Sequence, residues 1–286
     1  MIQDILPKVL NNQYFKKNIT ADSTVLIYEQ DNVYVMSDDD NIQFPKYSDM
    51  PTTNKIQYIY LFSVDQEMFF LGLLDDDISW KQNSMLDKLN VKGYSFENIR
   101  IFRNPQYGYL AFAGITGYQL YGWYLDNMYC GRCRETMIHS DTERMVQCPK
   151  CGNIVYPKIS PAVIVGITNG NKLLMTKYAN GDYKRYALVA GFTEIGESME
   201  ETVKREVMEE VGLKVKNITY YKSQPWSFTG CVLMGYFAEV DGDTTIRMDE
   251  NELAVAEWFD REEVPGGEGE ISLTREMMRV FREDIK

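Results

Sequence analysis

Glu206, Glu209 and Glu210 stand at i, i+3 and i+4, the spacing that brings three carboxylates to one face of a helix, with Arg205 as the adjoining cation. Like charges so placed destabilise an isolated helix, and clustering them calls for a compensating cation. Oxygen-only donors favour a hard divalent ion such as Mg²⁺ or Mn²⁺. The competing reading is a solvated acidic face, and the crowding of like charges argues against it. A second set, Cys130-Gly131-Arg132-Cys133 and Cys148-Pro149-Lys150-Cys151, forms two C-x2-C knuckles with 14 residues between them. Matched knuckles read as a tetrahedral zinc ribbon, although the gap falls just under the usual window of about 15 to 20 residues. A redox C-x-x-C or unrelated buried thiols are the alternatives. Four cysteine ligands leave no open coordination position, so one zinc per chain is read as structural. The chain has one histidine, His139, which sets aside a His-based metal site or a Ser-His triad as the main chemistry. Carboxylates must carry it.

The elements that position these groups follow from local signals. Ser198 with Glu201 has the form of a capping box and Gly212 the place of a C-terminal cap, which predicts a helix over 199–211 with an apolar stripe of Met199, Val203, Val207 and Val211. Tyr186 to Ala190 reads as a strand delivering the chain to that helix. Upstream, 161–168 and 172–176 flank Asn169-Gly170-Asn171 as a hairpin. Downstream lie a strand over 232–240 and a C-terminal helix with Leu273, Met277, Phe281 and Ile285 on one stripe. Strands and helices mixed around one core predict an α/β (α+β) sandwich over 159–286. Residues 127–158 form the ribbon. Residues 1–126 read as a β-rich domain with strands near 24–28, 32–36, 56–62 and 68–74, and an exposed acidic turn at Ser37–Asn41.

Composition narrows the function classes. A chain of 286 residues that is 44% apolar can bury two cores, and its net charge of −12 disfavours a broad electrostatic nucleic-acid footprint. From Cys130 to Lys158, five basic residues face three acidic ones, a weak patch. The amino-terminal residues carry acid and proline where a signal peptide would be apolar, so a cytoplasmic location is expected. The longest uncharged run, 105–125, holds glutamines, tyrosines and glycines, which favour a buried helix, or helix plus strand, over a membrane span.

Residues Gly191, Glu197, Arg205, Glu206, Val207, Glu209, Glu210, Gly212 and Leu213 match every position of the box G-x5-E-x7-R-E-U-x-E-E-x-G-U, U being aliphatic. The chain resembles the Nudix hydrolases. The likeness implies a Nudix α/β/α sandwich and hydrolysis of a nucleoside diphosphate linked to another moiety, by metal-activated water. Ser223-Gln224-Pro225-Trp226-Ser227-Phe228-Thr229-Gly230-Cys231 is similar to the S-Q-P-W-P-F-P-x-S array of the NADH pyrophosphatase (NudC-like) branch. Ser227, Thr229 and Cys231 replace two prolines and a serine, which predicts a looser backbone.

The resemblance implies Mg/Mn ligands at Glu206, Glu210 and Glu252 and at the carbonyl of Ala190, with Glu209 a shared ligand or one step behind. It implies dinucleotide contacts at Glu143, Tyr156 and Phe192, and a loop over the dinucleotide formed by Gln224, Pro225, Trp226, Ser227, Phe228, Thr229, Gly230 and Cys231. Ser272-Leu273-Thr274-Arg275 stands where the branch has Ser-Ile-Ala-Arg, which puts contact at Thr274 in doubt. The implied reaction splits the pyrophosphate of NADH or NAD into nicotinamide mononucleotide and AMP, with NAD caps on RNA as a second substrate and a homodimer as the assembly. The other classes are a zinc-ribbon adaptor that binds a dinucleotide without turnover, and a Nudix hydrolase of another nucleoside diphosphate derivative.

Overall fold

The computed structural model describes residues 1–53, 55–74, 89, 91–180, 185–265 and 271–284. Two compact units divide it: an amino-terminal unit of 2–158 joined by Ser227–Thr229, and a carboxy-terminal unit of Met1, 159–226 and 230 onward.

Short β-branched and aromatic runs make the amino-terminal unit. One sheet has the order β1 (Leu10–Asn11), β6 (Ile56–Val64), β7 (Glu67–Leu74), β2 (Thr24–Leu26). A second joins β3 (Tyr28–Glu29), β4 (Asn32–Ser37) and β5 (Ile42–Gln43), with β8 (Ser95–Asn98) also on β4. The uncharged run folds as one helix, α1 (Gly108–Asp126), preceded by a 3₁₀ turn at Pro105–Tyr107. Gly117 explains why a run poor in aliphatics still packs, since a Cβ there would stand 2.3 Å from the Leu26 side chain. No helix among the described residues is long and apolar enough to cross a membrane. The first knuckle precedes a small antiparallel sheet of β9 (Ile138–His139), β10 (Val146–Gln147) and β11 (Ile154–Val155), ordered β11-β10-β9, and the second joins β10 to β11. It belongs to the same compact unit as the strands before it.

The carboxy-terminal unit is an α/β/α sandwich. Its sheet runs β15 (Val215–Trp226), β16 (Cys231–Val240), β12 (Ser160–Asn169), β13 (Lys172–Tyr178), β17 (Leu253–Asp260), with β14 (Val189–Phe192) beside the first half of β12. β12 and β16 pair in parallel and the other neighbours antiparallel. Two-residue alternation along β12 divides the core. Val163, Val165 and Ile167 meet Val203, Val207 and Val211 of helix α2 (Met199–Val211) on one face. Ile164, on the other, meets Leu273, Met277 and Phe281 of helix α3 (Leu273–Glu283). The fourth residue expected on that stripe, Ile285, lies outside the described residues. The strand expected from Tyr186 begins only at Val189. Ala187 instead exchanges backbone hydrogen bonds with Thr176, at 2.8 and 2.9 Å, as an isolated bridge.

Candidate active site

Helix α2 carries the carboxylates, and its ends are fixed as its residues require. At the start the Ser198 N–H donates to Glu201 Oε2 at 2.8 Å and the Glu201 N–H to Ser198 Oγ at 3.3 Å. At the end Gly212 adopts φ 68° and donates to Met208 O at 3.1 Å. With Val203, Val207 and Val211 anchored in the core, Glu206 and Glu210, one turn apart, are buried at 9% and 3% exposure. Glu209 stays at the solvent edge, its side chain 60% exposed, so the three carboxylates do not share one environment.

Strand β14 closes the cradle. A Cβ on Gly191 would lie 2.0 Å from the Glu206 carboxyl carbon, so glycine is what admits that carboxylate against the strand. The Ala190 backbone hydrogen-bonds to Glu210. The Asp249 N–H donates to Glu210 O at 2.9 Å, hanging the turn that bears Glu252 on the end of α2.

Arg205 organises the other side. Its Nε and one terminal nitrogen grip Glu197 at 2.6 and 2.9 Å, and that nitrogen also donates to Phe192 O at 2.8 Å. The other terminal nitrogen reaches Glu206 at 2.8 Å and Glu209 at 2.9 Å. This grip, with the Glu194 N–H and the Thr202 hydroxyl, brings Glu197 down to about 2. Burial raises Glu206 above the usual carboxylate range despite Arg205. Burial, then the charge of Glu206, pushes Glu210 up to about 8 against the Ala190 hydrogen bond, with Glu252 and Glu209 adding to the rise.

These residues fit a divalent cation. Glu210 Oε2 is buried without a hydrogen-bond partner, and among the described residues neither Glu210 nor Glu252 has a salt-bridge partner. Of Glu206, Glu209, Glu210 and Glu252, Arg205 pairs with the first two only, the charges of Glu206, Glu252 and Glu209 all act against Glu210, and the donors are all oxygen.

The cysteines meet their own test. All four Sγ atoms lie within 4.8 Å of one another, with Cys130–Cys151 at 3.6 Å and Cys133–Cys148 at 3.4 Å, and none is in a disulfide. Tetrahedral thiolates at about 2.3 Å from zinc sit about 3.8 Å apart, so the spacing suits that ion. Burial raises the Cys130 thiol, but the backbone N–H groups of Arg132 and Cys133 together with the thiols of Cys151 and Cys133 outweigh it and lower the thiol. At the neighbouring Cys133 the Glu135 backbone hydrogen bond is outweighed by the bonds to the other thiols, and that thiol is raised. Among the described residues this is the group of cysteine, histidine or acidic side chains whose donor atoms are drawn that close.

The stretch expected as a loop, Gln224–Cys231, is half strand. β15 runs through Trp226 and pairs it with Cys231 at the start of β16, so only Ser227 to Gly230 make the turn. Gln224 is fully buried. Its amide donates to Ile271 O at 2.7 Å and its oxygen accepts from the Leu273 N–H at 2.7 Å, which ties β15 to the start of α3.

Residues 158–279 match the family profile described as the NUDIX domain. The NAD-capped RNA hydrolase NudC of Pectobacterium carotovorum subsp. carotovorum is 37% identical over 186 residues, 65% of this chain and 71% of that protein. The chain belongs to the Nudix family. The NAD-capped RNA hydrolase NudC of Photorhabdus laumondii subsp. laumondii is 39% identical over 149 residues, 52% of this chain and 58% of that protein, so this second alignment spans less than two thirds of its relative. A solved NUDIX hydrolase from Nitrosomonas europaea superposes with a TM-score of 0.48 at 24% identity, over 55% of this chain and 91% of that one.

Within the Nudix unit, Glu206 and Glu210 lie buried one turn apart, Glu210 takes the Ala190 backbone hydrogen bond and the charges of Glu209 and Glu252, and Phe192, 53% exposed, gives its carbonyl to Arg205. Among the described residues no three carboxylates bring an oxygen each within 4.8 Å of one another. Glu143 and Tyr156 meet each other in the amino-terminal unit, the Tyr156 hydroxyl donating to Glu143 at 2.8 Å. Phe228 lies in that unit too, its ring 4.8 Å from the guanidinium of Arg103. No motif marks Arg103; its place beside Phe228 shows only in three dimensions. Two features of the box also escaped a spacing argument: that Gly191 makes room for Glu206, and that Arg205 clamps Glu197.

Proposed function

We propose that this Nudix protein is a metal-dependent NAD(H) diphosphatase that splits NADH or NAD into nicotinamide mononucleotide and AMP, and that it removes NAD caps from RNA, where the same bond is presented. The observation that carries the reading is the union in one chain of an intact carboxylate cradle with the Ser223–Phe228 array. Relatives named NAD-capped RNA hydrolases support it.

In this reading Glu206, Glu210, Glu252 and the Ala190 carbonyl hold Mg²⁺ or Mn²⁺, and Glu209 is a shared ligand at the solvent edge. A divalent cation there supplies neutralisation of pyrophosphate charge and an acidified water. The chain's own part is positioning: Gly191 and Arg205 fix Glu206, the Ala190 backbone fixes one oxygen of Glu210, and the helix caps hold the register. Phe192, Glu143, Tyr156 and the hairpin residues Pro225 to Cys231 are the proposed dinucleotide contacts. Gln224, engaged at both ends of its amide, acts by holding the hairpin. The four cysteines hold one structural zinc. A cytoplasmic homodimer completes the reading.

Water attacks phosphorus and the bridging P–O bond breaks. In ¹⁸O-labelled water the label enters a mononucleotide phosphate and no free nicotinamide appears. The test is product identification on NADH, NAD, ADP-ribose, diadenosine polyphosphates and NAD-capped RNA with Mg²⁺ and with Mn²⁺. Binding of NADH without turnover under every metal would instead make the chain an adaptor. Turnover confined to the other substrates would leave a Nudix hydrolase of different specificity.

A further inference from the structure

The amino-terminal unit contains a cleft of about 800 Å³, within the size range of small-molecule sites, walled by the segment 14–19, by residues 57–60 of β6 and by 137–141 around β9. Its charge is unusual for so acidic a chain. Lys16 and Asp141 cancel each other at 3.0 Å. Lys17 has no carboxylate partner among the described residues. Its ammonium sits 4.4 Å over the Tyr60 ring and 4.8 Å over the Phe15 ring, 3.2 Å from the Tyr60 hydroxyl.

Behind the wall, the guanidinium of Arg144 lies 5.2 Å from the ring of Tyr14, which lines the cleft. Arg144 is held by neutral oxygens, donating to the side chain of Asn12 at 3.1 Å and to the carbonyls of Asn12 and Leu61. Its other terminal nitrogen is buried with no partner. One half-buried cation, Lys17, therefore lines the cleft and a second, Arg144, stands behind its Tyr14 wall, neither with a carboxylate to neutralise it among the described residues, in a chain with 42 acidic residues against 30 basic. Such an arrangement selects an anion.

The rest of the lining says what kind. The cleft is far larger than a phosphate. Tyr14, Tyr58 and His139 offer partly exposed rings and Ile138 an apolar side chain, while Asn18, Gln57 and Ser140 offer donors and acceptors. Aromatic rings beside hydrogen-bonding side chains are how unpaired bases are held. A long polyanion would need a track of cations, whereas here Lys16 is paired with Asp141 and only Lys17 and, behind the wall, Arg144 are without a carboxylate partner among the described residues.

We propose that this cleft is a second ligand site, for one nucleoside monophosphate unit, with Lys17 at the phosphate and Arg144 supplying the potential behind it. The site does not depend on the proposed hydrolysis, because none of its residues lies in the Nudix unit. The unit could arrive as a free mononucleotide or as the 5′ end of an RNA.

Photolabelling of the zinc-loaded 286-residue chain with 8-azido-AMP, followed by peptide mapping, tests this. Label is expected on peptides containing 57–60 or 137–141 and is chased by AMP. Lys17→Gln should weaken labelling about 10-fold, the scale of one charge-assisted hydrogen bond, while Lys17→Arg retains it. Turnover of NADH by Lys17→Gln should equal that of the parent. A 5′-phosphorylated oligoribonucleotide that competes as well as AMP identifies an RNA end as the source; competition by AMP alone identifies the free nucleotide. Label confined to Nudix peptides, labelling equal in Lys17→Gln, or competition by inorganic phosphate as strong as by AMP would each overturn the proposal.

Discussion

Arg205 uses every nitrogen of its fork on protein oxygens, and three of its partners are acidic. It therefore serves as an internal strut, leaving Glu210 without a cation. Glu206→Gln or Glu210→Gln should lower kcat by orders of magnitude with the fold intact, measured as turnover beside circular dichroism; near-normal rates in both would remove the site. Gly191→Ala makes a finer test. Its new methyl must displace the Glu206 carboxylate, and a misplacement of about 1 Å costs on the order of 100-fold, so kcat should fall about that much while the melting temperature changes little. Glu197 gives a pH signature. Its folded pKa, near 2, lies below the unfolded value, so its contribution to stability is present above about pH 4.5 and is lost as pH falls through the folded value. Glu197→Gln should be less stable than the parent at pH 7, and the two denaturation midpoints should converge towards pH 2. A gap that persisted there would mean that Glu197 acts through packing and not charge.

At the scale of elements, α2 is legible in the sequence. Ser198, Glu201 and Gly212 name its ends, and valines every fourth residue name its buried face, because caps and periodicity are local properties. The hairpin is not. The resemblance implies a loop over Gln224–Cys231, yet Gln224–Trp226, Pro225 included, is the end of β15, opposite β16 on the outer side of the sheet, where a missing N–H is tolerated. The roles of Gln224, which reaches α3, and of Arg103, beside Phe228, depend on partners 49 and 125 residues away and leave no periodic trace. Trp226 stands at the end of β15, next to the turn. If it stacks on nicotinamide, worth roughly 1 to 3 kcal/mol, Trp226→Ala should reduce kcat/KM for NADH about 5-fold to 150-fold and spare ADP-ribose, which lacks that ring. Equal losses on the two substrates would make Trp226 a packing residue.

For the whole molecule, two separate cores hold two different donor sets, oxygen in one unit and sulfur in the other. Their responses to perturbation should separate in kind. Purified protein should contain close to one zinc per chain. Cys130→Ser or Cys148→Ser should lose it with at least about 4 kcal/mol of stability, a fall of about 8 to 16 °C in melting temperature. The folded fraction should keep its response to Mg²⁺. Zinc-free protein that is folded and fully active would contradict a structural role, and a selective loss of kcat without loss of stability would point to a catalytic one.

The parallel pairing of β12 with β16 has a consequence for how the chain is made. Ser160 is registered with Cys231, 71 residues later. A ribosome adding about 5 to 20 residues per second takes about 4 to 14 s to cover that distance. Throughout it β12 can be paired on one side only, by β14 and β13, while its other edge offers a row of free N–H and C=O groups flanked by valine and isoleucine. The emerging Nudix sheet is thus most exposed to cross-pairing between nascent chains just after the carboxylate helix has been translated, and slow translation in that window should cost more soluble product than slow translation after residue 240.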